Sequence, residues 1–377
     1  MRRIYPMAVA SASFFFSYYS RLSWSVLVVY MPFHPDVGQE ALAFALFFAG
    51  YALVQLPAGF LSDRYSGGKI VFLALIGLAI STLTSGLSVN VTQEYASSLA
   101  MGLTAGWIYP ASINIMRTYY ASNLTLSIGY YSIAWPLAII VTGLALPWIA
   151  IHYGWQWGYY TTTAGSLMVA VMSLKLDTER RIRRINFRLL GNPNLIMLSV
   201  GGFLFFLSYW SITLYAYGYF VGIGVNGTLA GLIFSAMAAA GIPATIFSGK
   251  ISNRIGARNT LIISLLVYGG MVAMISVAYG AMALIAISLI MGFFRFLITP
   301  GNSDMAARIG GNEAASASGI SNMFWQTSGI IGPIFSAVII DMVGFRRLWL
   351  VMFVLILLAS FFYAGIRTAK PQVDAAA

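Results

Sequence analysis

The amino-acid sequence predicts an all-α membrane protein: twelve transmembrane helices in two pseudo-symmetric six-helix bundles. Three observations carry that expectation. Only 8% of the 377 residues are charged, against about 25% in an average soluble domain. The AVILMFWYC set makes up 59% and mean hydropathy is +0.82, more apolar surface than a soluble chain of this size can hide, so the solvent is lipid. The apolar residues also fall into runs near the length of a membrane span, and landmarks recur half a chain apart. Twelve helices and their connections use up the chain. This excludes a soluble enzyme, a nucleic-acid binder and a secreted module.

Apolar runs bounded by polar, Gly or Pro punctuation place the spans. They are 7–30, 40–62, 70–90, 94–119, 124–149, 155–174, 194–220, 228–250, 259–279, 281–307, 314–341 and 346–367. The first follows Met1-Arg2-Arg3 and is longer than a signal-peptide core, without a clean cleavage site, so it reads as a retained helix. The second and third flank the polar stretch at Asp63 and Lys69. The sixth and seventh flank the longest polar stretch, which holds Lys175, Arg180, Arg181, Arg183, Arg184 and Arg188. The expected division is therefore an N-terminal bundle at 1–174, a basic linker at 175–193 and a C-terminal bundle at 194–377.

With the N-terminus inside, Arg21 and Arg295 fall within spans and Arg346 and Arg347 on the outer side, leaving 17 of the 21 Lys and Arg residues cytoplasmic. That asymmetry predicts a cell-membrane protein with both termini cytoplasmic. It also accounts for the +11 net charge without a nucleic-acid partner. The absence of cysteine excludes disulfides and thiolate sites. His34 and His152 sit in predicted loops far apart, so neither a metal centre nor a cofactor is expected.

A gap-free shift of 190 residues superposes Gly59 on Gly249, Arg64 on Arg254, Gly102 on Gly292, Pro110 on Pro300, Gly129 on Gly319, Trp135 on Trp325 and Gly154 on Gly344. Two six-helix halves of common design follow, with a central cavity between them.

The residues after span two, Gly59-Phe-Leu-Ser-Asp63-Arg64-Tyr-Ser-Gly67-Gly68-Lys69, resemble the loop signature of the major facilitator superfamily. Gly249-Lys-Ile-Ser-Asn253-Arg254-Ile-Gly256-Ala-Arg258 repeats it in weaker form. Tyr51-Ala-Leu-Val-Gln-Leu-Pro57-Ala-Gly59 and Gly154-Trp155-Gln-Trp157 resemble further stretches of that family. The resemblance implies a conformational latch built from Gly59, Asp63, Arg64, Arg117 and, in the second half, Arg254. Ser66, Gly67 and Asn253 depart from the pattern. Tyr18-Tyr19-Ser20-Arg21-Leu22-Ser23-Trp24-Ser25 resembles span one of the family's anion:cation symporter branch, where the arginine contacts a substrate carboxylate. Ser20 and Ala105 stand where that branch carries acids, its proton-handling groups.

Arg21 and Arg295 each lie about 14 residues into a span, roughly 20 Å deep at 1.5 Å per residue. A central arginine costs about 2.5–3.5 kcal/mol on insertion scales, so both require a function. The resemblance places spans one and ten at the central cavity. All ten acidic residues fall in predicted loops or near span ends. Fixed positive charge without a protein counter-ion calls for an anionic substrate, and guanidinium matches carboxylate in bidentate geometry. Helical spacing and repeat position add Tyr18, Tyr51, Tyr109, Trp135, Asn322, Trp325 and Gln326 to the candidate substrate-binding residues.

The expected function is transport of a small carboxylate by alternating access. With no titrating mid-membrane acid, anion exchange or uniport is expected in place of proton symport. Proton-coupled anion symport and export of multiple drugs or lipophilic compounds are the alternatives; inorganic-anion transport and a signalling role on a transporter fold are further ones. The other partner is membrane lipid, and the fold commonly works as a monomer.

Overall fold

The computed structural model describes residues 4–178 and 187–367. Fifteen α-helices run α1 Ile4–Leu27, α2 Val37–Arg64, α3 Gly67–Gly86, α4 Val91–Ala105, α5 Ile108–Tyr119, α6 Leu124–Ser132, α7 Ala134–Tyr153, α8 Trp155–Ser173, α9 Pro193–Gly222, α10 Gly227–Ala239, α11 Gly241–Ile255, α12 Ala257–Ile275, α13 Ala281–Gly310, α14 Ala314–Val343 and α15 Phe345–Gly365. No strand occurs among the described residues. The fifteen helices make twelve crossings, because α4–α5, α6–α7 and α10–α11 are each one jointed crossing.

The joints have a common cause. Proline has no N–H for the carbonyl four residues earlier. Pro110, Pro136 and Pro243 therefore leave the carbonyls of Gly106, Ser132 and Ala239 without their helical donors, and the helices break at Gly106–Trp107, Ile133 and Ala240. Spans four, five and eight, expected as continuous, are bent at these points. Pro300, the repeat mate of Pro110, sits inside an unbroken α13. Helix starts follow local chemistry. Asp36 and Gln39 form a reciprocal capping box on α2, and Asn90, Asn192 and Asn226 cap α4, α9 and α10. Repeat mates Gly154 and Gly344 end α7 and α14 with φ of +98° and +83°, a conformation open to glycine. His152 lies in the last turn of α7, not in a loop, because α7 continues to Tyr153.

Among the described residues, nine helical segments are long and apolar enough to cross a membrane by length and composition. The other three crossings are α1, jointed α4–α5 and α8. In α1 the polar residues turn inward: Ser17, Tyr18, Tyr19, Ser20, Arg21 and Ser23 are all buried. Lipid-facing positions instead carry exposed aliphatics such as Leu73, Met168, Met282 and Val354.

The repeat is visible in the packing. A Cβ on Gly102 would lie 1.9 Å from the Phe47 carbonyl oxygen, and one on Gly292 would lie 2.2 Å from that of Met237. Phe47 and Met237 are themselves related by the same shift. Both halves thus use one glycine to bring crossing four against two, and ten against eight. Gly59 and Gly249, also mates, have open space around that position.

We call the side where α1 begins and α15 ends the terminal face. The halves close on each other toward the opposite face. There Tyr30 and Tyr217 share a hydroxyl hydrogen bond of 2.5 Å, Tyr215 Oη donates to the Val37 carbonyl at 3.1 Å, and Ser235 Oγ donates to the Ile140 carbonyl at 2.9 Å. Gly143 and Gly231 lie in backbone contact across the same seam.

Gly102→Ala and Gly292→Ala should each destabilise the protein by about 1–3 kcal/mol through overpacking against a carbonyl. Gly59→Ala and Gly249→Ala, inside helices with open space at the Cβ, should leave stability unchanged or raise it by up to about 1 kcal/mol. Thermal unfolding in detergent checks both: the first pair should unfold several degrees early and the second pair no earlier than the parent.

Candidate functional site

Arg21 sits six residues before the end of α1 and Arg295 in the middle of α13; each is 2% exposed. Arg21 is surrounded by five rings. Tyr18 comes from its own helix, 4.5 Å from the guanidinium carbon to the ring centre. Phe47, Phe48 and Tyr51 come from α2 at 5.0, 4.9 and 4.6 Å. Trp210 comes from α9, in the other half, at 5.3 Å. The three α2 rings meet one guanidinium because spacings of three and four residues share a helix face.

Arg295 has the same kind of cage. Phe205, Phe206 and Tyr209 of α9 lie at 5.1, 5.4 and 3.8 Å, and Phe296 at 5.5 Å. Trp135 of α7, in the other half, lies at 4.7 Å. Arg295 Nη1 donates to Thr299 Oγ1 at 2.8 Å. Among the described residues its Nε and Nη2 have no hydrogen-bond partner, and neither do Nε, Nη1 and Nη2 of Arg21. Rings cover the faces of both cations while most of the N–H edge stays unmet.

The cages touch. Tyr18 lies 5.3 Å from Trp135, Trp135 lies 6.3 Å from Tyr209, and Tyr209 lies 4.7 Å from Trp210. A continuous aromatic seam therefore joins the two cations through the middle of the protein. A cavity of about 20 Å³ borders Arg295, space for a single water and too small for an organic anion. The larger cavity, about 760 Å³, lies at the opposite face of the second half. Arg346, on its wall, donates to the Ser276 carbonyl and the Tyr279 hydroxyl.

Of the acids, Glu94 is fully buried. It accepts from Ser85 Oγ at 2.9 Å and Ser88 Oγ at 2.5 Å at the opposite-face end of α4. It is part of a local serine clasp and supplies no counter-ion to either arginine.

The other sequence candidates scatter. Tyr109 is 39% exposed and packs on Phe14 and Tyr131, outside both cages. Trp325 stacks on Phe206 at 5.6 Å, behind the Arg295 cage. Asn322 and Gln326 are half-buried on α14, and Gln326 Oε1 lacks a partner. Phe47, Phe48, Phe205, Phe206, Phe296 and Trp210 were not singled out from the sequence. Phe-Phe-x-x-Tyr occurs at 47–51 and 205–209, where it lines one cage each, but also at 14–18 and 15–19, so the pattern alone does not mark the cages.

The chain matches the family model "Major Facilitator Superfamily" over residues 9–333 and again over 198–376. It belongs to the Major Facilitator Superfamily. Among curated relatives, the agnestins efflux protein of Paecilomyces divaricatus is 22% identical over 318 residues, covering 81% of this chain and 72% of that one. Multidrug resistance protein 2 of Bacillus subtilis is 23% identical, covering 78% and 79%. Among solved structures, a bacterial homologue of the human lysosomal transporter Spinster, inward-facing and unoccupied, superposes with a TM-score of 0.80 at 15% identity, covering 98% of this chain and 99% of that one. The chain is thus a multi-pass membrane transporter and not an enzyme.

In this facilitator chain the latch motif is helical. Gly59, Asp63 and Arg64 occupy the last turns of α2, which runs through Pro57 to Arg64. The side chains of Asp63 and Asn253 lie outside the described set. Arg64 and Arg254 are exposed, and Arg117 is half-buried in the last turn of α5. The departures at Ser66 and Gly67 have a packing reason. The Gly67 amide donates to Thr178 Oγ1 at 2.7 Å, and Asn114 Nδ2 donates to the Ser62 carbonyl at 2.5 Å. A Cβ on Gly68 would lie 2.0 Å from the Leu176 carbonyl oxygen. Small residues let the α2–α3 turn seat against the chain leaving α8.

A buried cation with unmet donors is a stability cost. Arg21→Met and Arg295→Met should therefore unfold no earlier than the parent, and up to about 1–4 kcal/mol more stably. Tryptophan fluorescence during heating in detergent gives the comparison; a large loss of stability in either variant would mean the rings alone satisfy the cation.

Proposed function

We propose that this transporter carries a small organic anion, a carboxylate, and that Arg21 and Arg295 bind it. The observation that carries the reading is the pair of buried arginines, five of whose six guanidinium nitrogens have no hydrogen-bond partner and beside which no carboxylate stands among the described residues. A carboxylate fits the fork of a guanidinium edge-on while the rings keep its faces. Tyr18, Tyr51 and Trp135 then contact the bound anion or shape its pocket; Tyr109, Asn322, Trp325 and Gln326 meet it when the cavity opens. The narrow space at Arg295 means that binding moves rings aside.

Exchange or uniport follows from the same charges. An empty carrier must carry two bare cations through the occluded state, whereas an anion-loaded one has neutralised them. The remaining proposals are topological. Bundles at 1–174 and 194–377 flank a basic linker at 175–193. The terminal face is cytoplasmic in the cell membrane, by the positive-inside distribution, and the carrier works as a monomer. Gly59, Asp63, Arg64, Arg117 and Arg254 act as the terminal-face latch.

A second reading is export of lipophilic compounds, favoured by relatives named for efflux and by the aromatic seam. Proteoliposome uptake separates the two. For the anion reading, labelled carboxylate uptake should require internal unlabelled anion, gain little from a pH gradient in empty vesicles, and fall at least about tenfold in Arg21→Gln, the loss of roughly one charge-assisted hydrogen bond. For the efflux reading, uncharged lipophilic dyes should be transported equally by the parent and Arg21→Gln. A saturating carboxylate should also raise the unfolding temperature of the parent and leave that of Arg21→Gln unchanged.

A further inference from the structure

The two cages are not closed by their own halves. Arg21 belongs to the first half, yet Trp210, one of its five rings, comes from α9 of the second. Arg295 belongs to the second half, yet Trp135 comes from α7 of the first. Each half lends an indole to the other half's cation. Trp210 is further wedged against Phe48 of α2 at 4.6 Å, and Trp135 against Phe296 of α13 at 5.2 Å. These are contacts across the seam along which the halves must part when the carrier reorients. They lie mid-membrane, where a cation–π contact is desolvated and strong.

We infer that Trp135 and Trp210 form a reciprocal clasp that holds the unloaded carrier in the closed-face conformation described here. The anion is what releases it. A carboxylate docking on the guanidinium edge neutralises the charge to which the indole of the opposite half is attracted, so the attraction across the seam falls as substrate binds. Coupling then has a location: the empty carrier is locked by its own aromatic residues and the loaded one is free to move. The release step rests on the anion-carrier reading above. The clasp itself does not, since it concerns the protein without substrate.

The chain has no cysteine, so a pair of spin labels can be placed at will. Val89, in the α3–α4 connection, and Met282, at the start of α13, are 74% and 80% exposed, one on each half at the opposite face. With both replaced by cysteine and labelled, the parent without anion should give one short, narrow distance by electron-electron resonance. Trp135→Leu and Trp210→Leu should each add a longer distance, shifting the ratio of closed to open by about thirtyfold, the equivalent of one desolvated cation–π contact. Trp→Phe at either position should fall between, because a phenyl ring keeps a weaker cation–π contact than an indole; the double-variant comparison separates that from loss of volume. Trp210→Leu in an Arg21→Gln background should add nothing to Arg21→Gln alone, because both remove one contact.

An unchanged distance distribution in the Leu variants, or full additivity in the double variant, overturns the clasp. If a Leu variant does not fold, the Phe variants and the double-variant comparison decide it. In proteoliposomes the Leu variants should raise the ratio of carboxylate uptake into empty vesicles to uptake by exchange. Labels that respond as described while no carboxylate is transported by the parent would leave the clasp standing and remove the anion reading.

Discussion

Two guanidinium groups held at mid-membrane without a counter-ion constrain everything around them. A central arginine costs about 2.5–3.5 kcal/mol to insert, and each desolvated ring contact returns up to about 2 kcal/mol. Five rings around each cation offset part of that cost. That choice has two consequences. Aromatic faces satisfy the cation's charge while leaving its N–H donors unmet, so the site stays receptive to an acceptor. Rings large enough to surround a guanidinium also reach across the seam, so the charge of one half is solved partly by the other.

The scaffold beneath is symmetric where backbone meets backbone and asymmetric where chemistry is done. Gly102 on Phe47 and Gly292 on Met237 are one contact made twice, because close helix packing tolerates only the smallest residue at those points in either half. The arginines break the symmetry. Arg21 has Ser211 as its mate and Arg295 has Ala105, so each half contributes its cation from a different crossing. The rings follow suit: Phe205, Phe206 and Tyr209 cage Arg295, whereas their repeat mates Phe15, Phe16 and Tyr19 are not among the rings around Arg21, three of which come from α2. A pseudo-symmetric frame with an asymmetric lining gives a carrier two equivalent rocking halves around a site that no symmetry axis averages.

The closed face and the jointed helices belong together. Prolines at 110, 136 and 243 bend crossings four, five and eight, and two of those crossings meet across the seam at Gly143 and Gly231. A helix with a missing backbone hydrogen bond flexes at that joint more readily than an intact one. The seam is thus tight where glycines let backbones touch and adjustable where prolines loosen the helices that line it.

The sequence by itself determined the class, the twelve crossings, the repeat and the presence of two mid-span cations, because scarcity of charge, run length and a gap-free shift are properties of order along the chain. It identified Arg21, Arg295, Tyr18, Tyr51 and Trp135, which the fold gathers into the two cages, since depth and helical spacing are also local quantities. It did not distinguish Phe47, Phe48, Phe206 or Trp210 among 25 phenylalanines and nine tryptophans. Nor did it separate Tyr109 and Trp325, outside the cages, from residues within them. Which helix faces which, and so whose ring covers whose cation, depends on how the halves pack. The exchange of Trp135 and Trp210 between halves was decided only in three dimensions, because no spacing along one helix records the charge that a neighbouring helix brings to it.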